Sequence, residues 1–370
     1  MLIFLTGLIY RNLVKPALFL FDAELVHTKF TDLGEWMGKY IFLKRFFSKI
    51  FIKDSEILKQ TISGIEFRNP VGLAAGFDYE AKLTQILPQI GFGFGTIGTI
   101  TNNPYCGNPS PMLGRLPKSR ALLVNKGFKN DGAKKVAEKL KELEFDIPIG
   151  ISIGRTNSRD LTTQTESVAD IIKAFKTFEQ SYIKNSYYEL NISCPNLFGD
   201  ISFYSSENLE ELLIEVDKIN VSKPIFIKMP IEKTNDEVLA MLEVIATHSI
   251  DGVIFGNLQK DRKNPCLDQE EVAKSGKGNF SGKPTYDRSN ELIALAYKKY
   301  RDKLVIIGCG GIFSAEDAYA KIRSGASLVQ LITGMIYQGP QLIAEINIEL
   351  EKLIKHDGYA NISEAVGSDI

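Results

Sequence analysis

The sequence is poor in the residues that build metal centres and disulfide frameworks. Its 370 residues include three histidines and four cysteines. No two of the cysteines form a CxxC pair; they are Cys106, Cys194, Cys266 and Cys309. Structural zinc sites need closely spaced thiolates and imidazoles, and disulfide-rich domains need a dense cysteine pattern. We therefore expect no metal site, no disulfide framework and a reducing compartment.

A surplus of charge is lacking as well. The chain has 44 basic and 45 acidic residues, for a net charge of −1. Nucleic-acid-binding domains usually carry a basic surplus on one face, so no nucleic-acid partner is expected. With 44% hydrophobic and 24% charged residues, the chain can bury a large core and stay soluble.

Long apolar runs are the third absence. The opening stretch MLIFLTGLIY is apolar, but Arg11 and then Lys15 and Pro16 follow it. A membrane-spanning helix takes roughly 20 apolar residues, so none is expected here. The stretch has no cationic region before it and no small-residue cleavage site after it, so we do not interpret it as a signal peptide.

Residues 1–53 are instead rich in aromatic and cationic side chains. Apolar residues recur there at near-helical spacing with charges between them, for example Leu33, Trp36, Met37, Tyr40 and Ile41. This pattern predicts amphipathic helices that lie on a membrane surface. An equally open alternative is a segment that caps the main domain and packs its aromatic side chains on it.

From residue 61 onward, short β-branched runs alternate with helical stretches. Eight predicted strands are Val71–Ala74, Gly95–Ile100, Ile147–Ile153, Tyr187–Ser193, Pro224–Met229, Gly252–Phe255, Leu304–Ile307 and Ser327–Ile332. Helical stretches between them are Gly132–Glu142, Ser167–Asn185, Asn208–Lys218, Asp236–Thr247, Ser289–Tyr300 and Ala315–Ser324. Eight such units predict an α/β fold, a closed (β/α)8 TIM barrel over residues 61–360 behind a short N-terminal helical extension.

The loops after the seventh and eighth strands carry a phosphate-binding pattern. They read GCGGI at 308–312 and TG at 333–334, and SGKP at 281–284 adds a third small-residue loop. Loops in this position often bind phosphate through bare main-chain N–H groups, although the glycines could serve only as tight turns. A phosphate beside a central aromatic ring points to FMN.

Lys228 ends an apolar strand, where a lysine in the barrel mouth is costly unless it meets an anion. Beside a flavin it could neutralise the charge of the reduced ring. The alternative is an exposed lysine at a strand end.

A cysteine flanked by two asparagines follows the fourth strand, in the segment NISCPN. Cys194 could act as a base or nucleophile if its pKa falls from about 8.5 toward neutrality. The amides of Asn191 and Asn196 suit a planar polar substrate such as a pyrimidine. Acyl transfer is disfavoured because no histidine lies in a comparable strand-end motif. A buried structural cysteine is the alternative, and it is what we expect for the other three cysteines.

Read together, the motifs resemble the dihydroorotate dehydrogenase family, specifically its membrane-associated, quinone-linked class 2. The resemblance covers nearly the whole chain. It is carried by KPALFLFDAELVHT, NPVGLAAGFD, GFGFGTIGTIT, GRLP, NISCPN, IKMP, GNFSGKP, IIGCGGI and GASLVQLITG.

The resemblance implies a set of site residues. The catalytic residues are Cys194 and Lys228. The FMN-binding residues are Ala75, Gly76, Tyr79, Thr99, Ser152, Asn191, Lys228, Gly256, Gly282, Gly311, Ile332 and Thr333. The substrate-binding residues are Asn125, Gly127, Phe128, Asn191, Asn196 and Asn257.

It also implies an activity in de novo pyrimidine biosynthesis. Cys194 would remove the C5 proton of dihydroorotate while C6 passes a hydride to FMN, and Lys228 would stabilise the reduced flavin. A membrane quinone would then reoxidise the flavin, reached through residues 1–53. The expected location is peripheral, on the cytoplasmic side of the inner membrane.

Several positions depart from the class 2 pattern. Cys194 stands where class 2 has serine and the soluble class 1 has cysteine. Tyr79 replaces a lysine that touches flavin and substrate, Ser152 replaces a flavin-contacting asparagine, and Leu258 replaces a threonine. The substrate loop at 124–128 is one residue shorter.

These departures keep two alternatives open. One is a class 1-like enzyme that oxidises dihydroorotate with fumarate or another soluble acceptor. The other is a flavoprotein that acts on a different pyrimidine or has lost catalysis.

Overall fold

The computed structural model describes residues 2–199 and 201–370. Its helices are α1 (Leu2–Ile9), α2 (Lys15–Phe19), α3 (Ala23–Gly38), α4 (Ile41–Phe51), α5 (Ala133–Leu140), α6 (Gln164–Glu179), α7 (Ser206–Asp217), α8 (Asn235–Ile245), α9 (Gln269–Lys274), α10 (Tyr286–Tyr300), α11 (Ala315–Arg323), α12 (Thr333–Gln338), α13 (Leu342–His356) and α14 (Ile362–Ala365). Its strands are β1 (Gln60–Ile62), β2 (Ile65–Phe67), β3 (Val71–Leu73), β4 (Phe94–Ile100), β5 (Leu113–Leu116), β6 (Ala121–Val124), β7 (Ile149–Ile153), β8 (Tyr187–Asn191), β9 (Ile225–Met229), β10 (Gly252–Phe255), β11 (Asn279–Gly282), β12 (Val305–Cys309) and β13 (Leu328–Leu331).

Eight of these strands close into a parallel barrel, in the order β10-β12-β13-β3-β4-β7-β8-β9. They correspond to the eight strands expected from the sequence, so the predicted TIM barrel is confirmed. The helices between them begin at good caps. Thr163 with Glu166, and Thr234 with Glu237, form capping boxes at the starts of α6 and α8.

The barrel interior is layered. At the amino-terminal end, the rings of Phe94, Tyr187 and Phe226 pack edge to face. A Cβ at Gly150 would lie 2.0 Å from Tyr187 Cε2, so only glycine leaves room for that ring. Above them the Tyr187 hydroxyl is 2.8 Å from Thr96 Oγ1. The filled lower half leaves the carboxyl-terminal end of the barrel for a site.

Two small antiparallel elements lie outside the barrel. Strands β1 and β2 form a hairpin, and β5, β6 and β11 form a three-stranded sheet. The sheet joins the loop after β4 to the loop after β10, with Leu116, Leu123 and Phe280 in its core. We did not predict these strands, because runs of three or four residues carry little periodicity.

The first helix is longer than expected. A π-helical turn, Tyr10–Val14, connects α1 to α2, and the N–H of Lys15 donates to the carbonyl of Tyr10. This wider turn relieves the crowding that Pro16 would otherwise cause in the preceding turn. The helical segment therefore continues beyond Arg11 to Phe19, past the point where the apolar run of the sequence ends. The 18 residues Leu2–Phe19 have a mean hydropathy of 1.3, enough by length and composition alone to cross a membrane, a test that signal sequences and core helices also pass.

The N-terminal helices turn one face inward and leave the other exposed. Arg11 pairs with Glu345 at 3.4 Å, and Phe51 is buried against the barrel helices. Among the described residues, the large exposed hydrophobic side chains other than Tyr182, Ile214 and Ile370 all lie in the N-terminal segment; they are Leu2, Phe4, Leu5, Leu8, Ile9, Leu13, Val14, Leu20, Phe21, Leu25, Phe30, Leu33, Trp36, Tyr40, Ile41, Phe42 and Phe46. Packing on the barrel and apolar exposure thus occur on different faces of one segment.

Candidate active site

Two adjoining cavities lie at the carboxyl ends of the barrel strands. The first, the glycine cavity, takes in about 500 Å³ of space, part of it open to solvent, and is lined by Gly256, Gly282, Gly310, Gly311 and Gly334 among others. The second, the asparagine cavity, takes in about 910 Å³, also partly open to solvent, and is lined by Asn191, Cys194, Asn196 and Asn257 among others. Both are lined by Ala75, Lys228, Asn257, Leu258, Ser281, Ile332 and Thr333.

The glycine cavity is shaped by backbone that other residues could not adopt. Gly282 and Gly311 have φ angles of +91° and +73°, and a Cβ on Gly311 would lie 2.5 Å from Tyr286 Cβ. Among the described residues, the main-chain N–H groups of Gly311 and Ile312 have no hydrogen-bond partner. Bare N–H groups in a concave glycine-rich loop are suited to an anion such as phosphate.

Lys228 sits where the two cavities meet. Its side chain is 5% exposed, and its Nζ lies 3.5 Å from Oε1 of the fully buried Glu189. Burial alone would lower the pKa of Lys228, but the charge of Glu189 outweighs it and the pKa is raised. The lysine is therefore a fixed buried cation. Glu189 Oε2 has no hydrogen-bond partner among the described residues.

A chain of hydrogen bonds fixes the wall of the asparagine cavity next to β4. Asn191 Nδ2 donates to Thr99 Oγ1 at 2.8 Å, and Thr99 Oγ1 is 2.9 Å from Ser152 Oγ. Thr99 and Asn191 line the cavity, whereas Ser152 lies behind Thr99 and is not part of the lining. Ser152 therefore supports the cavity wall through its hydrogen bond to Thr99.

Cys194 is partly exposed and lines the asparagine cavity, on the loop that follows β8. Burial raises the pKa of its thiol to about 12, although the main-chain N–H of Asn196 and the charges of Lys260 and Arg155 act in the opposite direction. The thiol is therefore protonated at pH 7 in the free protein. The lowered pKa considered from the sequence is not what the structure has.

A network of asparagines connects three loops around this cysteine. Asn196 Nδ2 donates to the carbonyl of Val124 at 3.1 Å, and Asn279 Nδ2 donates to Asn196 Oδ1 at 2.8 Å. Asn108 Nδ2 bridges Asn125 Oδ1 at 3.1 Å and the carbonyl of Asn196 at 3.0 Å. Asn125 is in this network but is not part of the cavity lining. The loops after β4, β8 and β10 are thus held together.

A second hydrogen-bonded chain reaches the cavity from the N-terminal helices. Lys126 Nζ donates to the hydroxyl of Tyr79 at 2.9 Å, and this hydroxyl is 3.4 Å from Nδ1 of His27. His27 Nε2 donates to the carbonyl of Phe77 at 2.8 Å. Burial, with the nearby charge of Lys126, lowers the pKa of His27 to about 4, so this ring is neutral at pH 7.

The structure brings together nearly all the residues singled out from the sequence. The lining includes Ala75, Gly76, Tyr79, Thr99, Gly127, Phe128, Asn191, Cys194, Asn196, Lys228, Gly256, Asn257, Gly282, Gly311, Ile332 and Thr333. Sequence reasoning missed His27 and Lys126 as site residues, although His27 lies inside a quoted motif and Lys126 in the substrate loop at 124–128. Their significance depends on Tyr79, which belongs to a third segment, and no spacing rule relates the three.

Two of the other three cysteines differ from expectation. Cys106 is exposed and Cys266 partly exposed, so the expectation that both are buried is wrong. Both lie on loops, and loops usually run over the protein surface. Cys309 is buried, and it lines the glycine cavity. In the described part of the chain no three His, Cys, Asp or Glu side chains are grouped to hold a metal ion.

The fold and these cavities define a (β/α)8-barrel enzyme whose mouth has a glycine-rich end, suited to an anion, and a polar end built around a thiol. The family model for dihydroorotate dehydrogenase matches residues 57–354, and the chain belongs to that family. A dihydroorotate dehydrogenase (quinone) of Rippkaea orientalis is 38% identical over 354 residues, which are 93% of this chain and 90% of the relative.

Two further relatives agree with this assignment. A dihydroorotate dehydrogenase (quinone) of Natronomonas pharaonis is 36% identical and covers 97% of this chain and 99% of its own length. The crystal structure of the Eimeria tenella dihydroorotate dehydrogenase in complex with ferulenol has a TM-score of 0.79 and 27% identity, over 94% of this chain and 96% of that one.

Proposed function

We propose that the protein oxidises dihydroorotate to orotate in pyrimidine biosynthesis, with FMN as its cofactor and a membrane quinone as electron acceptor. The observation that carries the proposal is the asparagine cavity, where Cys194, Asn191, Asn196 and Asn257 share one space with the buried cation of Lys228. Amide groups around a flat cavity suit a pyrimidine ring, whose rim alternates hydrogen-bond donors and acceptors.

The residues present fit FMN. The glycine cavity offers the free N–H groups of Gly311 and Ile312 to a phosphate, and it opens onto the larger cavity at Lys228. A Cβ at Gly76 would meet only Ile332 Cδ1, at 3.8 Å, so a side chain there would fill the space that a ring needs. FMN, when bound, supplies the hydride acceptor and the route for electrons to a quinone.

The chain's own groups have separate tasks. The asparagines orient the substrate ring, and Asn257 is itself fixed because its Nδ2 donates to the Ser193 carbonyl at 3.0 Å. Cys194 takes the proton from C5 of dihydroorotate. Because its thiol is protonated at pH 7, the reaction depends on a small thiolate fraction that grows with pH. Lys228 holds a positive charge where the two cavities meet.

The N-terminal segment, residues 1–53, is proposed to dock on the cytoplasmic face of the inner membrane and to give quinone access to the barrel, residues 61–360. Its exposed apolar side chains support peripheral contact, with Trp36 51%, Phe42 63% and Phe46 56% exposed. His27 supports access, since this helical residue also lines the asparagine cavity.

An acceptor comparison tests the proposal. Orotate formation from dihydroorotate would be measured with a short-chain quinone and with fumarate as alternative acceptors. We expect turnover with the quinone and at least about tenfold less with fumarate. Turnover with fumarate alone would support the class 1-like alternative that Cys194 raises, and no orotate with any acceptor would contradict the proposed activity.

A further inference from the structure

The charged groups that line the asparagine cavity are unbalanced. Lys126, Lys129 and Lys228 line it together with the neutral His27, and no aspartate or glutamate does. Lys228 is paired with Glu189 at 3.5 Å and Lys129 with Glu24 at 3.4 Å. Within residues 2–199 and 201–370, Lys126 alone of these lysines has no carboxylate within ion-pair distance.

Lys126 is nevertheless buried, with only 7% of its surface exposed. Its Nζ donates to the Tyr79 hydroxyl at 2.9 Å and lies 4.5 Å from the centre of the Tyr79 ring. An ammonium has three N–H donors, and the contact with Tyr79 uses one of them. A buried charge with only neutral partners is costly, and an anion brought by a ligand would offset that cost.

The position of Lys126 indicates that its anion belongs to the ligand of the asparagine cavity and not to a phosphate in the glycine cavity. It lies between Asn125 and Gly127, on the loop that Asn196 fixes by donating to the Val124 carbonyl. That contact places the loop beside Cys194, whereas the glycine cavity has main-chain donors of its own. Tyr79 also occupies the position at which the family pattern has a lysine.

We propose that Lys126 binds the carboxylate of dihydroorotate and orotate, and so selects a carboxylated pyrimidine over an uncharged one. The proposal rests on the proposed function, because it takes these two molecules as the ligands. In this chain the cation for the carboxylate would come from Lys126 in the loop after β6, because the family's lysine in the loop after β3 is replaced by Tyr79.

Binding should then be accompanied by proton uptake. Burial, with the charge of Lys129, lowers the pKa of Lys126 to about 8, and the charges of Glu24 and Glu80 act in the opposite direction. The other groups that face it, Tyr79 and His27, are neutral near this pH. A carboxylate beside the ammonium raises its pKa, so the lysine gains a proton on binding at pH 8.5.

The test uses the FMN-loaded protein and two probes, orotate and uracil, which lacks the carboxylate. Dissociation constants would come from titrations of the flavin absorbance. For Lys126→Met we expect orotate to bind about tenfold to a hundredfold more weakly and uracil to change less than about threefold. Lys135→Met, which removes a surface lysine paired with Asp131 at 2.8 Å, should change neither. Lys126→Arg should keep most of the preference for orotate.

The proton count tests the same proposal in the unaltered protein. Calorimetry of orotate binding at pH 8.5, in two buffers of different ionisation enthalpy, should show uptake of more than about half a proton per site, and Lys126→Met should abolish it. Unchanged orotate affinity in Lys126→Met, equal weakening of both probes, or no proton uptake would overturn the proposal. The proposed function fails separately, if the unaltered protein neither binds orotate nor oxidises dihydroorotate.

Discussion

The N-terminal helices and the barrel mouth depart from ordinary protein surfaces in opposite ways. The helices expose apolar side chains, with Phe42 63% and Ile41 61% exposed. At the barrel mouth, by contrast, charged side chains are buried: Lys228 is 4% exposed, Glu189 0% and Lys126 7%. Exposed apolar patches mark contact with a membrane or a partner, and buried charges mark chemistry. The comparison shows how one chain combines a site for a polar substrate with a surface for an apolar acceptor.

The largest effect is expected at the polar end of this comparison. Cys194→Ala should lower the rate of flavin reduction by dihydroorotate about 10²- to 10⁴-fold, because it removes the base, while FMN and orotate still bind. Cys194→Ser should keep partial activity, with its rise in rate displaced to higher pH, since a hydroxyl is a weaker acid than a thiol. Anaerobic stopped-flow absorbance measures both. Cys106→Ala, at an exposed position, is the control. A Cys194→Ala protein that reduces FMN at the parent rate would reject the role.

The buried ion pair should give the next largest effect. Lys228→Met leaves the carboxylate of Glu189 buried without its cation, which should cost about 3–5 kcal/mol of unfolding free energy. Adding Glu189→Gln should recover a substantial part of that loss. Urea titrations of the single and double variants measure the coupling. A loss below about 1 kcal/mol in Lys228→Met would contradict the claim that the Lys228–Glu189 pair stabilises the fold.

His27 lies in α3 and contacts Phe77 and Tyr79 of the barrel, so protonation of its ring should weaken the packing of the N-terminal helices on the barrel. Its pKa of about 4 in the folded protein is below the ordinary value of 6.5, so the unfolded chain binds more protons between these values. The contribution of neutral His27 to the free energy of unfolding is complete above pH 6.5 and is lost as the pH falls toward 4. Between pH 7 and pH 5 the free energy of unfolding should therefore fall by roughly 2 kcal/mol.

The measurement for His27 compares the pH dependence of unfolding of the parent and of His27→Gln. The difference between the two proteins should shrink by about that amount from pH 7 to pH 5. Parallel curves would show that His27 is not held neutral by the fold.

The smallest expected effect concerns the apolar end. Changing Trp36, Phe42 and Phe46 together to glutamine removes three exposed aromatic rings, and binding to phospholipid vesicles should weaken about tenfold or more. Turnover with a vesicle-borne quinone should fall in parallel, while turnover with a soluble dye should not. Tyr182→Gln, which removes a 91% exposed ring on the barrel, is the matched control. Equal vesicle binding by the triple variant and the control would remove the support for membrane docking.

The sequence was sufficient for the barrel because each strand is a short β-branched run followed by a helix, and because the loops that follow the strands carry the unusual residues. The ends of the helices could also be anticipated from residues such as Thr163 and Glu166, which form a local cap.

Interactions between distant segments could not be predicted. The π-helical turn before Pro16 allows the helix to continue through a proline, and no local sequence pattern predicts such a turn. The chain from Lys126 through Tyr79 to His27 joins three segments, and the pKa of Cys194 depends on everything packed around the sulfur. Such quantities are set by tertiary burial, which residue spacing along the chain does not encode.

Anaerobic mixing of the FMN-loaded protein with dihydroorotate tests the central claim most directly. The account predicts that the absorbance of oxidised flavin is bleached, and that the rate rises with pH up to pH 9 without a plateau because the base has a pKa of about 12. Flavin that keeps its absorbance after mixing would contradict the claim that this cavity oxidises dihydroorotate. A rate that levels off below pH 8 would assign the proton to a group other than Cys194.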